Sequence, residues 1–229
     1  MDFCNFRKKI IAVVGHYGSG KTNFAVNLAL SLKANGKRVT LIDLDTVNPY
    51  FRAADAKEKL SAEGIGTIIP EFANTNVDLP SLPPEINRVF DTVKDLSRPD
   101  EFFIFDVGGS DGAVALGMYN KQILAAGGCE MIGVINMYRP LTVTPESAVA
   151  DLREIEDYSR LKVTSLVNNS SIGVETTSET VLASVKYAET TAELMGVPLL
   201  STSYIESPRV SLSDEDRFFK MKNATKQIF

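Results

Sequence analysis

Residues 9–32 read KIIAVVGHYGSGKTNFAVNLALSL, and this stretch decides the fold. Its first six residues form an apolar run typical of a buried strand, and residues 23–32 repeat their apolar side chains at helical spacing. Between them, Gly15–Thr22 matches the phosphate-binding pattern GxxxxGK[ST]. A chain that leaves a strand, turns through glycines and enters a helix points the N–H groups of that helix at an anion. The stretch therefore predicts a P-loop.

Each position of this loop has an expected role. Glycines let the backbone approach the phosphates, Lys21 reaches the β- and γ-phosphates and assists catalysis, and the Thr22 hydroxyl binds Mg²⁺. The predicted nucleotide-binding residues of the loop and of the helix start are Gly15, Gly18, Ser19, Gly20, Lys21, Thr22 and Asn23. Because the ligand is a nucleoside triphosphate with its metal, the predicted cofactors are ATP and Mg²⁺.

Strand-like and helix-like segments alternate along the rest of the chain. Strands are predicted at 37–45, 101–107, 131–135, 162–167 and 197–200, and helices at 53–62, 84–96, 113–126, 178–195 and from Thr144 onward. Residues 70–84 contain four prolines and indicate an excursion loop. Regular alternation with apolar strands predicts a mainly parallel sheet covered by helices on both faces. We expect one three-layer α/β/α P-loop domain over residues 1–229.

Carboxylates follow two of these strands. Asp106 ends an apolar strand and precedes Gly108-Gly109, so it is the predicted metal ligand beside Thr22, and Gly109 is predicted to bring its backbone N–H to the γ-phosphate. Asp43 and Asp45 share one side of their strand if the strand persists to Asp45. Asp45 is assigned to orient water, whereas Asp43 bonds locally or supports Mg²⁺ indirectly.

Arg52 and Arg139 follow loops that could reach the phosphates. Either could stabilise charge in the transition state, but a structural ion-pair role is favoured for both.

The identity of the nucleotide base is predicted from the absence of a guanine-recognition motif. Guanine-specific P-loop proteins usually carry an [NT]KxD element, and the only Asn-Lys pair here, Asn120-Lys121, lacks that Asp and falls in a predicted helix. The strand at 162–167 leads instead into Asn168 and Asn169, whose amides can accept from the adenine amino group and donate to a ring nitrogen. Adenine is therefore favoured, read by Asn168 or Asn169, although a merely polar turn is the alternative.

Composition excludes several kinds of function. The net charge of −5 argues against a nucleic-acid backbone as partner, and the single histidine, His16, excludes His-based zinc sites and Ser-His-Asp triads. No apolar run approaches the roughly 20 residues that span a bilayer, and the N-terminus lacks the apolar core of a signal peptide. We expect a cytoplasmic protein with no integral membrane segment.

The loop, the strand ending Asp43-Leu44-Asp45, the Asp106–Gly109 segment and Asn168 together resemble the MinD/ParA/CobQ group of P-loop proteins. The resemblance covers most of the chain and implies switch roles for Asp45 and Asp106. The group's ATPases typically have lysine second in the loop, where it crosses a dimer interface to the partner's nucleotide. Here that residue is His16, which puts activation by such a sandwich dimer in doubt.

Three functions are compatible with these features. The first is a slow ATPase switch that recognises a protein partner, and the second is a small-molecule kinase or carboxylate-activating ligase of the dethiobiotin synthetase or CobQ kind. The third is a nucleotide-binding module without significant turnover. A homodimer is possible, and the loops at 48–52 and 70–84 could hold a small carboxylate acceptor. Residues 217–222 are predicted to form a packed C-terminal helix, with a membrane-targeting helix as the weaker alternative.

Overall fold

The computed structural model describes residues 6–45, 54–69, 84–212 and 217–224, with the backbone alone at 54–56 and 84. Its strands are β1 (Ile10–Val14), β2 (Arg38–Asp43), β3 (Gly66–Ile68), β4 (Glu101–Asp106), β5 (Glu130–Ile135), β6 (Ser165–Asn168), β7 (Leu199–Ile205) and β8 (Phe218–Met221). They form one sheet in the order β3-β2-β4-β1-β5-β6-β7-β8, and every pairing between neighbours is parallel.

Helices cover both faces of this sheet. They are α1 (Lys21–Ala34), α2 (Ala54–Ala62), α3 (Pro84–Lys94), α4 (Gly109–Gly117), α5 (Asn120–Ala125), α6 (Pro145–Ser159), α7 (Ser178–Ala183) and α8 (Val185–Met195). Alternate residues of β1 enter two separate cores: Ile10 and Ala12 pack with α3, α4, α6 and α8, whereas Ile11 and Val13 pack with α1. The predicted three-layer α/β/α architecture is confirmed.

The strand order brings the predicted site residues to one edge of the sheet. β1 lies between β4 and β5, so Val13, just before the loop, pairs with Asp106 at the end of β4. Asp106 in turn pairs with Asp43 on β2. Ligands of open parallel sheets bind beyond the carboxyl ends of the strands, and the loop lies at that edge.

Two predicted helices are each interrupted in the structure. The helix expected at 113–126 is α4 followed by α5, and α4 already begins at Gly109. The helix expected at 178–195 is divided at Ser184, a fully buried residue. The Ser184 hydroxyl donates to the carbonyl of Val181 at 2.7 Å and accepts from Asn168 Nδ2 at 2.8 Å. This serine therefore takes part in a tertiary contact as well as ending α7.

The prediction of a helix at 217–222 is wrong, because these residues contain strand β8 at the edge of the sheet. Phe219 and Met221 are buried, whereas Lys220 and Lys222 are exposed. That alternation has the period of two that belongs to a strand with one face against a core. Among the described helices, none combines the length and apolar character that crossing a membrane requires.

Candidate nucleotide-binding site

The loop between β1 and α1 has backbone angles that require glycine. Gly15 has φ +142° and Gly20 has φ +85°, in the left-handed half of the map that L side chains rarely adopt. A Cβ atom at Gly15 would lie 2.3 Å from the carbonyl oxygen of Val134, and one at Gly20 would lie 2.1 Å from Asn169 Nδ2. Side chains at these positions are excluded by space as well as by conformation, which leaves the loop backbone open to a ligand.

Lys21 lies at the start of α1 and is almost completely buried. Only 6% of the residue is exposed, and its Nζ donates to the carbonyl of His16 at 3.0 Å. Burial lowers the pKa of Lys21, whereas the carboxylates of Asp106, Asp45 and Asp151 act in the opposite direction. The structure thus brings Lys21, Asp45 and Asp106 together, as the sequence predicts, and adds Asp151.

Asp106 is a buried carboxylate, and neither of its oxygens has a well-formed hydrogen bond. Burial raises its pKa to about 6, although the Thr22 hydroxyl and the Lys21 ammonium lie close enough to lower it. Among the described residues, four buried side-chain atoms have no hydrogen-bond partner: Ser19 Oγ, both oxygens of Asp106, and Ser201 Oγ. Unpaired buried polar atoms are costly, and two residues of the loop region carry three of these four.

This arrangement fits a Mg²⁺ ion with a phosphate. Magnesium is held in such sites by one or two protein oxygens together with phosphate oxygens and water. Thr22 and Asp106 supply a hydroxyl and a carboxylate side by side. Within the described ranges, no group of three or more His, Cys, Asp or Glu side chains could hold a metal unaided. A metal here would therefore depend on the nucleotide for its remaining ligands.

Asp43 and Asp45 do not share one side of a strand, because β2 ends at Asp43. The chain turns there, and Asp43 Oδ1 accepts the backbone N–H of Asp45 at 2.9 Å, which is the local bond expected of Asp43. The Asp45 side chain lies against Gly108, where an added Cβ would come within 2.4 Å of Asp45 Cγ. Asp45 therefore contacts the segment between Asp106 and Gly109, the first residue of α4.

The structure corrects the assignment of base reading to Asn168. This residue is fully buried, and its Nδ2 donates to Ser184 and to Thr202 Oγ1 at 3.2 Å. Its Oδ1 accepts from the hydroxyl of Ser170 at 2.7 Å. Because both ends of the amide are already bonded within the core, Asn168 supports the end of β6 and has nothing left for a base.

Asn169 and Asn23 also have structural partners. Asn169 Nδ2 donates to the carbonyl of Ser19 at 2.7 Å, which fixes the loop from the side of β6. The Asn23 side chain, predicted to bind nucleotide, instead accepts the backbone N–H of Ala224 at 2.8 Å. Only the backbone of Asn23, in the first turn of α1, remains available for a phosphate.

Arg139 reaches the loop from the segment after β5, and its Nε donates to the carbonyl of Gly18 at 2.7 Å. Next to this contact is a cleft of about 250 Å³ between the segments that follow β6 and β7. Ser171 and Gly173 line both this cleft and the narrow space beside Gly18 and Gly20. The cleft therefore adjoins the loop. Arg52 lies outside the described residues.

Sequence reasoning missed Asp151. It lies on α6, and its Oδ1 is 2.9 Å from Nδ1 of His16, which is 135 positions away in the chain. No local pattern connects the two residues, because a single Asp on an amphipathic helix resembles any surface carboxylate.

Comparison with known protein families agrees with this geometry. The family model of the CobQ/CobB/MinD/ParA nucleotide binding domain matches residues 10–197, from β1 to the residues before β7. The chain belongs to this family. The match includes the loop, Asp45, Asp106 and α6. Sequence comparison with curated proteins finds no match.

Solved structures share the fold of this CobQ/CobB/MinD/ParA domain at low identity. FtsY of Thermotoga maritima is 19% identical with a TM-score of 0.55, covering 94% of this chain and 66% of that one. Chloroplast FtsY of Physcomitrella patens is 16% identical with a TM-score of 0.57, covering 96% and 63%.

The signal recognition particle 54 kDa protein of Aeropyrum pernix K1, solved with GDP, is 18% identical with a TM-score of 0.54, covering 88% and 43%. The chain thus spans from less than half to about two thirds of the length of these three proteins. At these identities the likeness concerns the fold.

Proposed function

We propose that this protein binds Mg²⁺–ATP and hydrolyses it slowly, as a nucleotide-dependent switch that recognises a protein partner. The observation that carries the proposal is the buried carboxylate of Asp106, whose oxygens lack a well-formed hydrogen bond although the Thr22 hydroxyl and the Lys21 ammonium lie beside it. A nucleotide with its metal would give these oxygens the ligand they lack. The single sheet that contains every described strand supports one domain over residues 1–229.

The role of each residue follows from its position. Lys21 would leave the carbonyl of His16 for the β- and γ-phosphates, and Thr22 and Asp106 would hold Mg²⁺. When bound, the metal neutralises charge on the phosphates. Asp45 would orient the attacking water, and its contact with Gly108 would transmit loss of the γ-phosphate to α4. Without a partner, we expect turnover on the order of 10⁻⁴ to 10⁻² per second, as in unstimulated switch NTPases.

Adenine remains our proposed base, but the argument now depends on the lack of a carboxylate that could recognise guanine and no longer on the Asn168 amide. The only Asn-Lys pair in the sequence lies in α5. Residues 168–171, at the end of β6, include no carboxylate that could accept from the guanine N–H groups. Glu206, the single carboxylate among the described residues that line the cleft, is paired with Lys220 at 3.1 Å. The relative from Aeropyrum pernix was solved with GDP, so guanine is the outcome that the test must exclude.

Isothermal titration of the full chain with Mg²⁺–ATP and Mg²⁺–GTP tests this function. We expect ATP to bind more tightly than GTP, and Lys21→Ala to weaken ATP binding by about tenfold or more because a charge-assisted contact to phosphate is lost. Lys121→Ala, an exposed lysine of α5, is the matched control. Equal affinity of Lys21→Ala and the parent protein would refute the site, whereas tighter binding of GTP would refute adenine alone.

The second candidate, a kinase or ligase with a small carboxylate acceptor, stays a prediction from the sequence. Residues 48–52 and 70–83, where the acceptor loops were expected, lie outside the described residues. ATP consumption that appears only when a metabolite is added would favour it, whereas tight binding without turnover would favour a non-hydrolysing module. A cytoplasmic location and a possible homodimer also remain predictions.

A further inference from the structure

His16, the second residue of the loop, is tied to a carboxylate of its own chain. Its Nδ1 lies 2.9 Å from Oδ1 of Asp151, and each side chain is 22% exposed. An ionised carboxylate can only accept a hydrogen bond, so Nδ1 must carry the hydrogen. The contact therefore sets the tautomer and orientation of the ring, and Nε2 becomes the ring nitrogen that is offered to a ligand.

The same residue forms the part of the loop that holds the catalytic lysine. The carbonyl of His16 accepts from Lys21 Nζ at 3.0 Å and from the backbone N–H of Ser19 at 3.1 Å. In a phosphate-binding loop of this pattern, that ammonium group is the one that reaches the β- and γ-phosphates. The backbone of His16 therefore lies at the end of the loop where the terminal phosphate would be bound, and Asp151, which holds the imidazole, also acts on Lys21.

Among the described residues named here at this end of the loop, carboxylates outnumber cationic side chains. Lys21 is influenced by three carboxylates, Asp106, Asp45 and Asp151, before a polyphosphate adds more negative charge. Mg²⁺ at Asp106 would offset part of this excess. Asp151 faces two further groups: Tyr187, whose pKa is raised by burial so that it stays neutral, and His16. Arg139, the nearby guanidinium, donates to Gly18 instead.

We propose that His16, oriented by Asp151, binds the terminal phosphate through Nε2 as an imidazolium, so that the triphosphate binds together with a proton. This inference rests on the proposed nucleotide site. A proton on the ring would neutralise Asp151 and give the terminal phosphate a second cationic donor next to Lys21. A diphosphate lacks the group that Nε2 would bind and takes up no proton. Because both residues belong to one chain, this donor is supplied without a second copy.

The single histidine of the chain allows a direct test. We would label the full chain with ¹⁵N-histidine and record imidazole ¹⁵N spectra at pH 8, free, with Mg²⁺–ADP and with Mg²⁺–AMP-PNP, a non-hydrolysable ATP analogue. An ordinary imidazole is neutral at this pH. We expect a neutral ring protonated at Nδ1 in the free and ADP-bound protein, and both nitrogens protonated with AMP-PNP. Asp151→Asn should reduce or abolish this protonation.

Calorimetry with two variants completes the test. His16→Gln should weaken AMP-PNP binding by about tenfold at pH 6.5 and leave ADP affinity within about twofold, because one charged donor to the terminal phosphate is lost. An imidazole that stays neutral with AMP-PNP, or that is protonated equally with ADP, would overturn the inference while leaving the nucleotide site in place. Absence of binding by both nucleotides would instead refute the proposed function, and the inference with it.

Discussion

At the scale of single residues, burial of the ionised Asp106 carboxylate lowers the stability of the ligand-free protein. Burial raises its pKa from 3.8 to about 6, so between these values the folded protein binds more protons than the unfolded chain. The stability that this group contributes is therefore present in acid and is lost as pH rises through 6. In the ligand-free protein with EDTA, we expect Asp106→Asn to raise the free energy of unfolding at pH 8 by about 1–3 kcal/mol.

Urea denaturation at pH 8 and pH 4 measures this effect, and the gain should disappear at pH 4. Asp111→Asn, at an exposed carboxylate in the first turn of α4, is the matched control and should change little at either pH. A ligand-free protein that Asp106→Asn destabilises at pH 8 would show that the carboxylate has a partner in the fold.

Substitution of Asp45 should mainly reduce turnover, whereas substitution of Asp106 should reduce both nucleotide affinity and turnover. Asp45→Asn should keep nucleotide affinity within about threefold and lose most turnover, because orienting water matters mainly in the transition state. Asp106→Asn should weaken Mg²⁺-dependent binding as well, since a metal ligand is lost. Titration calorimetry and single-turnover hydrolysis separate the two roles, and equal losses in both variants would contradict this division.

Residues within a local motif could be predicted from the sequence, and residues defined by distant contacts could not. The closeness of Lys21, Thr22 and Asp106 could be predicted because a loop pattern and a strand end determine their positions. Asn168 was misjudged because its partners, Ser184 and Thr202, lie 16 and 34 positions away. A polar residue at a strand end has the same local sequence whether it faces a ligand or completes the core.

At the scale of elements, hydrogen bonds connect the residues after β8 to α1, the helix that follows the loop. Asn27 on α1 accepts the backbone N–H of Lys222 at 2.8 Å, and its Nδ2 donates to the carbonyl of Lys222 at 2.9 Å. This pair of bonds, next to the Asn23–Ala224 contact, holds the chain after β8 against α1. The chain after the last strand thus contacts the first turns of the phosphate-binding helix.

Removing the two hydrogen bonds between Asn27 and Lys222 should destabilise the protein. Asn27→Ala leaves two backbone groups of Lys222 without partners, so we expect a loss of about 1–3 kcal/mol in urea unfolding. Asn35→Ala is the matched control. The Asn35 side chain is exposed at the end of α1 and donates to the carbonyl of Ser31, so its removal should cost under about 0.5 kcal/mol. Equal losses in the two variants would mean that the bonds to Lys222 contribute nothing beyond helix propensity.

The strands and helices of the first half were easier to predict than those of the second. The central strands are continuous apolar runs because both faces of the sheet are covered. The signal for β8 was also present: Phe219 and Met221 alternate with Lys220 and Lys222, and four residues are too few to separate this period from a short helix. The break at Ser184 depends on a tertiary hydrogen bond, which no local period contains.

At the scale of the whole molecule, the tie between His16 and Asp151 bears on assembly. Asp151 of the same chain holds Nδ1 of His16, and the terminal phosphate bound by that chain would occupy Nε2, so neither ring nitrogen would be left for a partner's nucleotide. We therefore expect ATP not to drive dimerisation through the loop face. Sedimentation velocity should give the same mass with Mg²⁺–ADP and Mg²⁺–AMP-PNP, and a doubling of mass with AMP-PNP alone would contradict this expectation.

The buried carboxylate of Asp106 should also affect the half-life of the protein in a cell. Proteases act mainly on opened or unfolded copies, and bound ligand lowers the population of these copies by mass action. Copies without Mg²⁺–nucleotide keep the Asp106 carboxylate buried without a metal and should be degraded first. We therefore expect starvation, which depletes nucleotide, to shorten the half-life of the protein, so that its abundance follows the energy supply without any change in its synthesis.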